Sequence, residues 1–276
     1  IIQGQKSIPE RPKRHATSHK GDIGLLLTVG GNEGMSGAIR LASESALRTG
    51  ASLVAVCCHQ NNHAVVFNGR PELMIAPTEA LPLENSHFYQ KAKVMLCGPG
   101  LGKDNWAQAL FDQALASQKP CVVDADALHL LAENSQRREN WVLTPHPGEA
   151  AALLNSSIAE VEQDRFAAVR NISQQYGGVC VLKGAGSLIS DGESVWINTS
   201  GNSGMASGGM GDVLSGIIAA LMMQLSDTKA AARLAVYLHG CAADIIAKRN
   251  GKIGMLASDL FPEIQQLINQ GTVLRS

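Results

Sequence analysis

The sequence carries almost no net charge: 23 Lys plus Arg stand against 24 Asp plus Glu, a formal charge of -1. No global field steers a polyanion toward it, so nucleic acid is not an expected partner. Only the head, Lys6 to His15, is basic, and it reads as a solvated lead-in. No apolar run approaches the ~20 residues that a bilayer-spanning helix needs. No secretory signal is recognisable either, so a membrane is not an expected partner. The six cysteines form no C-x-x-C pair and sit inside or beside apolar runs, as small buried hydrophobes do in a reducing compartment. A cytoplasmic location is the expectation. His15, His19, His59, His63, His87, His129 and His239 show no ligand spacing of the H-E-x-x-H kind, so zinc is not expected. The chain begins at Ile1 without an initiator Met, which suits a processed chain or a piece of a longer one.

What is present is an alternation. At 276 residues the chain can bury a sizeable core, and one domain over 1–276, with 1–18 as a lead-in segment, is expected. Short apolar runs at 23–30, 52–58, 94–98, 121–126, 141–145 and 179–184 read as strands, followed by weaker ones at 187–189 and 194–198. Between and after them, 35–50, 105–118, 160–177, 211–225 and 228–248 read as helices. Continuous apolar strands alternating with helices predict an α/β fold, a mostly parallel central sheet with helices on both faces. Such sheets place ligands beyond the carboxyl ends of their strands.

The glycine-rich and polar segments fall on that edge: GGNEG at 30–34, GPGLG at 98–102, DADAL at 124–128, TPHPGE at 144–149 and KGAGS at 183–187. Each alone is an ordinary turn; together they outline one long cleft. A dinucleotide fingerprint would read G-x-G-x-x-G after the first strand, with an acid about 20 residues on. The loop here is GGNEGMSG, and the next strand ends in Cys57 and Cys58. A Walker loop occurs nowhere.

The segment 201-GNSGMASGGMGDVLSG-216 reads instead as Gly208, Gly209 and Gly211 turning into a helix that begins at about Asp212. Amides free of Cβ atoms can converge there on an anion, helped by the helix end. Asp212 is then either a plain N-cap or a general base, its pKa raised by an adjacent phosphate. Lys183 reaches solvent from its strand end or faces a nucleotide phosphate. His146, between two prolines, contacts a substrate or stiffens a turn. Glu149 and the pair Asp124 and Asp126 hold a magnesium–water network or cap and order their turns.

The ordered set of 19-HKGDIG-24, residues 30–54, GPGLG, 123-VDADAL-128, TPHPGE, KGAGS and 201–216 resembles the ADP-dependent NAD(P)H-hydrate dehydratases over about residues 18–270. The resemblance implies a ribokinase-like fold and a repair reaction. The hydroxyl of (S)-NADHX or (S)-NADPHX, the hydrated cofactors, is phosphorylated by ADP with Mg²⁺, giving AMP. Phosphate is then eliminated to restore NADH or NADPH. It implies Asp212 as base, an anion hole over Gly208, Gly209, Met210 and Gly211, and ADP binding at Lys183, Gly184, Ala185, Gly186, Ser187 and Gly211. It places hydrate binding at Ala38, Gly102, His146 and Asp212, while the water-mediated Mg²⁺ reading of Asp124 and Glu149 rests on the residues alone. A homo-oligomer, a tetramer by likeness, and a fused or separate epimerase are the implied partners. The family's usual GNPGMATGGTGD becomes GNSGMASGGMGD, with Ser203, Ser207 and Met210 as the departures. The competing classes are a small-molecule kinase of the same fold, which would stop at a phosphorylated alcohol, and a non-catalytic binding module.

Overall fold

The computed structural model describes residues 1–3, 8–14, 16–17, 19–77 and 82–269. His15, residue 18 and the start of the basic head lie outside the described residues. Ten strands form one sheet: β1 (Ile2–Gln3), β2 (Leu25–Val29), β3 (Leu53–Cys57), β4 (Leu73–Ile75), β5 (Ala92–Cys97), β6 (Cys121–Val123), β7 (Trp141–Leu143), β8 (Val179–Leu182), β9 (Leu188–Ser190) and β10 (Val195–Asn198). Their spatial order is β1-β10-β9-β8-β7-β6-β5-β2-β3-β4. From β4 to β8 every neighbouring pair is parallel, and β9 alone runs antiparallel to both of its neighbours.

The helices are α1 (Lys20–Ile23), α2 (Ser36–Arg48), α3 (His63–Phe67), α4 (His87–Lys91), α5 (Asn105–Ala116), α6 (Asp126–Glu133), α7 (Pro147–Leu153), α8 (Ile158–Gln163), α9 (Arg165–Tyr176), α10 (Met210–Gln224), α11 (Thr228–Asn250) and α12 (Leu260–Asn269). Side chains alternate along each strand, so Leu26 enters the core under α2, α10, α11 and α12, whereas Leu25, Leu27 and Val29 enter the opposite core under α5, α6 and α9. Both faces are covered, which is why these strands read as unbroken apolar runs.

Several expectations are corrected. The run from residue 23 starts too early, because Lys20–Ile23 is a helical turn and β2 opens at Leu25. The helix expected over 160–177 is two, broken at Asp164, whose carboxylate accepts from the Ala167 amide and caps the second. The lead-in segment 1–18 is partly built into the fold, ahead of its basic stretch: Ile2–Gln3 pairs with β10, Gln3 is buried, and its side-chain amide donates to the Arg233 carbonyl at 2.8 Å. Helix α11 is long and apolar enough by length and composition to cross a membrane, but 67% of its most apolar window is buried inside the fold, as in a core helix. All six cysteines are buried, as expected, and burial pushes the Cys58 thiol up to about 11.

Two features aim the site. The chain turns back between β2 and β5, so their following loops meet: the Gly31 amide donates to Pro99 at 2.9 Å and Asn32 to Gly100 at 2.7 Å. This is the topological switch point, where open sheets of this kind bind ligands. Helix α10 crosses α2 closely because Gly216 carries no side chain. A Cβ there would stand 2.0 Å from the Ala42 carbonyl oxygen. Ser45 Oγ donates to the Val213 carbonyl across this contact at 3.0 Å, fixing the start of α10 against α2.

Candidate active site

Helix α10 begins earlier than its glycines suggest. Gly209 is the N-cap, in left-handed backbone at φ 87°, and Met210 is the first helical residue. The plain N-cap reading of Asp212 is therefore overturned: Asp212 is the third residue of the helix, and no side chain caps its end. The free amides of the first turn and the helix dipole remain available to an anion. Met210 buries its side chain in the core, so this departure from the usual loop leaves only backbone at the turn. Ser207, a second departure, donates to the Met255 carbonyl at 3.1 Å, and Ser203 lies exposed on the rim.

Asp212 is half-buried, and its carboxyl is pushed up to about 7. Burial is the largest cause; Asp124 adds to it, Lys183 opposes it, and Asp126 and Glu149 raise it further. The solvent-reaching reading of Lys183 is corrected as well. Its side chain is 19% exposed, and Nζ lies 2.8 Å from Asp124 Oδ1 and 3.6 Å from Glu149 Oε2. A side chain on Gly211 would start 3.3 Å from that ammonium, so Lys183 borders the glycine turn. Burial pulls the ammonium down, but Asp124 and Glu149 outweigh it and the net shift is upward, keeping it charged.

The remaining predicted residues fall into two groups. Lys183, Gly184, Ala185, Gly186, Ser187, Met210, Gly211 and His146 line one cavity of ≈ 670 Å³ between the β8–β9 turn, α10 and α11. That volume suits a nucleotide. Gly208 and Gly209 sit in the chain between Ser207 and Met210 of its lining: nothing stands within 4 Å of a Cβ on Gly208, whereas one on Gly209 would press on Leu41 of α2. Ala38, in the first turn of α2, and Gly102, in the loop after β5, lie at the switch point. Ala38 packs on Gly100, and the Gly102 amide donates to Asp126 Oδ2 at 2.8 Å. Asp126 in turn acts on the Asp212 carboxyl, linking this group to the first.

His146 and Glu149 form a reciprocal cap on α7. His146 Nδ1 accepts from the Gly148 amide at 2.9 Å, and Glu149 Oε2 accepts from the His146 amide at 2.7 Å. The structural readings of both residues are thus realised, while the His146 ring still borders the cavity and Glu149 still faces Lys183. Asp124 is buried; one oxygen takes Lys183, and Oδ2 has no partner among the described residues. No group of three or more His, Cys, Asp or Glu placed to hold a metal ion directly occurs among the described residues, so a direct carboxylate cage is not built here.

Three supporting residues escaped the sequence reading. Asp244 of α11 accepts from the Gly201 amide at 2.9 Å and from Asn202 Nδ2 at 2.8 Å, pinning the cavity rim. Arg165 donates to the Ala185 carbonyl at 2.8 Å from behind the β8–β9 turn. His239 lines the cavity from α11. Each sits inside or at the start of a helix, where nothing in the local sequence separates it from a capping or core residue.

A mostly parallel sheet with a glycine turn at a helix start, an adjacent half-buried carboxylate and a nucleotide-sized cavity at its carboxyl edge is the arrangement of a ribokinase-like protein. The fold matches a ribokinase-like superfamily protein of Enterococcus faecalis, at 31% identity over 94% of this chain and 91% of that one, with a TM-score of 0.86. It also matches the ADP/ATP-dependent NAD(P)H-hydrate dehydratase of Bacillus subtilis, co-crystallised with ATP and Mg²⁺, at 29% identity over 93% and 94% of the chains and a TM-score of 0.80. The family model for NAD(P)H-hydrate dehydratase matches residues 26–266, and the chain belongs to that family. It is 48% identical over 262 residues to the bifunctional NAD(P)H-hydrate repair enzyme Nnr of Escherichia coli, covering 95% of this chain and 50% of that protein. It is 38% identical to the ADP-dependent (S)-NAD(P)H-hydrate dehydratase of Neisseria meningitidis, covering 94% and 90%. The chain spans about half the length of the bifunctional relatives it matches.

Proposed function

We propose that this chain dehydrates (S)-NADHX and (S)-NADPHX to NADH and NADPH at the expense of ADP, releasing AMP and phosphate. The observation that carries the reading is Asp212, a carboxyl pushed up to about 7 beside the glycine turn, poised to take a hydroxyl proton near neutrality. With the proton on Asp212, the substrate oxygen bonds to the terminal phosphorus of ADP and the bond to AMP breaks. The amides from Gly208 to Gly211 take up the charge of the transferred group, a role of positioning and electrostatics rather than covalent chemistry. The ring nitrogen then pushes electrons toward the carbon bearing the phosphate, phosphate leaves with the C–O pair, and loss of the neighbouring proton restores the double bond.

The Lys183 to Ser187 turn and Gly211 hold ADP in the cavity, while Ala38, Gly102 and His146 hold the hydrate. Asp124 Oδ2, buried and unpartnered among the described residues, fits a water of a hydrated Mg²⁺, with Glu149 as the second carboxylate. When bound, the ion would supply neutralisation of phosphate charge. An epimerase interconverting the R and S hydrates, fused or separate, is the expected companion, in keeping with the bifunctional relatives. A homo-oligomer, tetrameric by family likeness, and a cytoplasmic setting, supported by six reduced buried cysteines, complete the proposal. The test offers hydrated NADH with ADP and with ATP in parallel. Recovery of NADH with ADP supports the reading. A stable phosphorylated alcohol with no NADH would assign the site to a kinase.

A further inference from the structure

Helix α11 holds one wall of the nucleotide cavity through Tyr237, Gly240 and Asp244, whose spacing of three and four puts them on one helix face. The Tyr237 carbonyl accepts from Ser200 Oγ at 3.1 Å. Gly240 lets Ser200 lie directly on the helix, since a Cβ there would stand 2.3 Å from Ser200 Oγ. Asp244 takes the next two residues: Oδ2 accepts from the Gly201 amide at 2.9 Å and Oδ1 from Asn202 Nδ2 at 2.8 Å. Hydrogen bonds to an ionised carboxylate are the stronger kind. Asn202 passes the restraint on, because its own Oδ1 accepts from the Gly204 amide at 2.9 Å and caps the short helical turn Ser203–Met205. Gly201, Asn202, Ser203 and Met205 all line the cavity.

The glycine turn is held from elsewhere. Gly209 packs on Leu41 of α2, the start of α10 is tied to α2 by the Ser45–Val213 bond, and Ser207 is tied to the Met255 carbonyl. The two halves of the site are thus anchored separately, the phosphoryl end from α2 and the wall from α11. We propose that Asp244 is a positioning residue for the nucleotide: it sets ADP affinity through the 201–205 wall and leaves the rate of the bound complex to the glycine turn and Asp212. This rests on the nucleotide reading of the cavity.

Calorimetric titration of the intact protein with ADP, together with turnover of the hydrate at saturating ADP, tests it in wild type, D244N, N202D and the double variant N202D/D244N. In D244N the amide oxygen still accepts from Gly201, but the amide NH₂ meets that of Asn202. ADP should then bind about ten-fold more weakly, the scale of one hydrogen bond, with kcat within about two-fold of wild type. N202D sets two carboxylates face to face and should bind ADP more weakly still. Adding D244N to N202D restores every bond with the roles exchanged: the amide at 244 donates to the carboxylate at 202, which still caps Gly204. The substitution that weakens ADP binding in wild type should therefore strengthen it in N202D, a reversal that general loosening of the fold would not produce. ADP affinity unchanged in D244N overturns the proposal, as does weakening by D244N in both backgrounds. A fall in kcat at unchanged ADP affinity also overturns it, by moving the effect to the glycine turn. Wild-type protein that binds no ADP at all removes the nucleotide reading instead. If D244N alone does not fold, N202D against the double variant decides by the same sign: tighter binding in the double variant supports the proposal, and equal or weaker binding overturns it.

Discussion

Lys183 Nζ lies 2.8 Å from Asp124 Oδ1, and its charge opposes the raised Asp212 carboxyl. One ammonium from the end of β8 thus balances carboxylates from three other segments, the β6 end, α7 and α10. The charge state of the site, and with it the ionisation of Asp212, is set by that arrangement.

Removing the ammonium should expose this balance. Lys183→Met leaves Asp124 and Glu149 facing each other without a counter-charge, and breaking a buried pair from one side costs about 3–5 kcal/mol. Denaturant unfolding should show a loss of that order. The Asp212 carboxyl, freed of its opposing cation, should titrate higher than in wild type, seen as an upward move of the activity midpoint.

The pH dependence has a definite sign. A base must be ionised, so kcat/KM should rise with unit slope as pH climbs toward about 7 and level off above it. Stability runs the other way. The fold raises the pKa of Asp212, so its contribution is fully present below the unfolded value of about 3.9 and is lost as pH rises through about 7. Unfolding measured from pH 4 to 8 should fall more steeply in wild type than in Asp212→Asn.

Asp212→Asn should also lower turnover by about 10²–10⁴-fold, the usual contribution of a positioned base. ADP affinity should change little. Unchanged turnover would remove Asp212 from the role of base.

Two adjacent glycines separate folding from chemistry. Gly209 has positive φ and a Cβ there would lie 2.5 Å from Leu41, so Gly209→Ala should destabilise by about 1–2 kcal/mol from the left-handed backbone alone. Gly208 meets nothing within 4 Å and its φ is not positive, so Gly208→Ala should keep stability within about 0.5 kcal/mol. If the transferred phosphoryl group approaches bare backbone at 208, turnover should nevertheless fall by at least about ten-fold. Thermal unfolding and steady-state kinetics on the two variants check both halves.

The sequence made β2, β3 and β5 to β8 legible because strands buried on both faces are unbroken apolar runs. It hid the edge strands β1 and β4, which are two and three residues long. Helices α6 and α12 were also missed, although α12 carries Leu260, Phe261, Ile264 and Leu267 on one face. At the site, the glycine turn and the loops at the strand ends could be read from residue type alone. The cap at Gly209 could not, because the start of α10 is set by packing against α2 rather than by a capping side chain. Nor could the Lys183–Asp124 pair, whose members are 59 residues apart and meet only across the sheet edge.

Coupling between phosphoryl transfer and cofactor recovery is tested most directly by following AMP release and NADH recovery together, with the S hydrate and ADP in one reaction. One AMP should form for each NADH regained, with neither product formed by Asp212→Asn above its residual rate. AMP formed without NADH, or NADH regained without AMP, would contradict the proposed reaction.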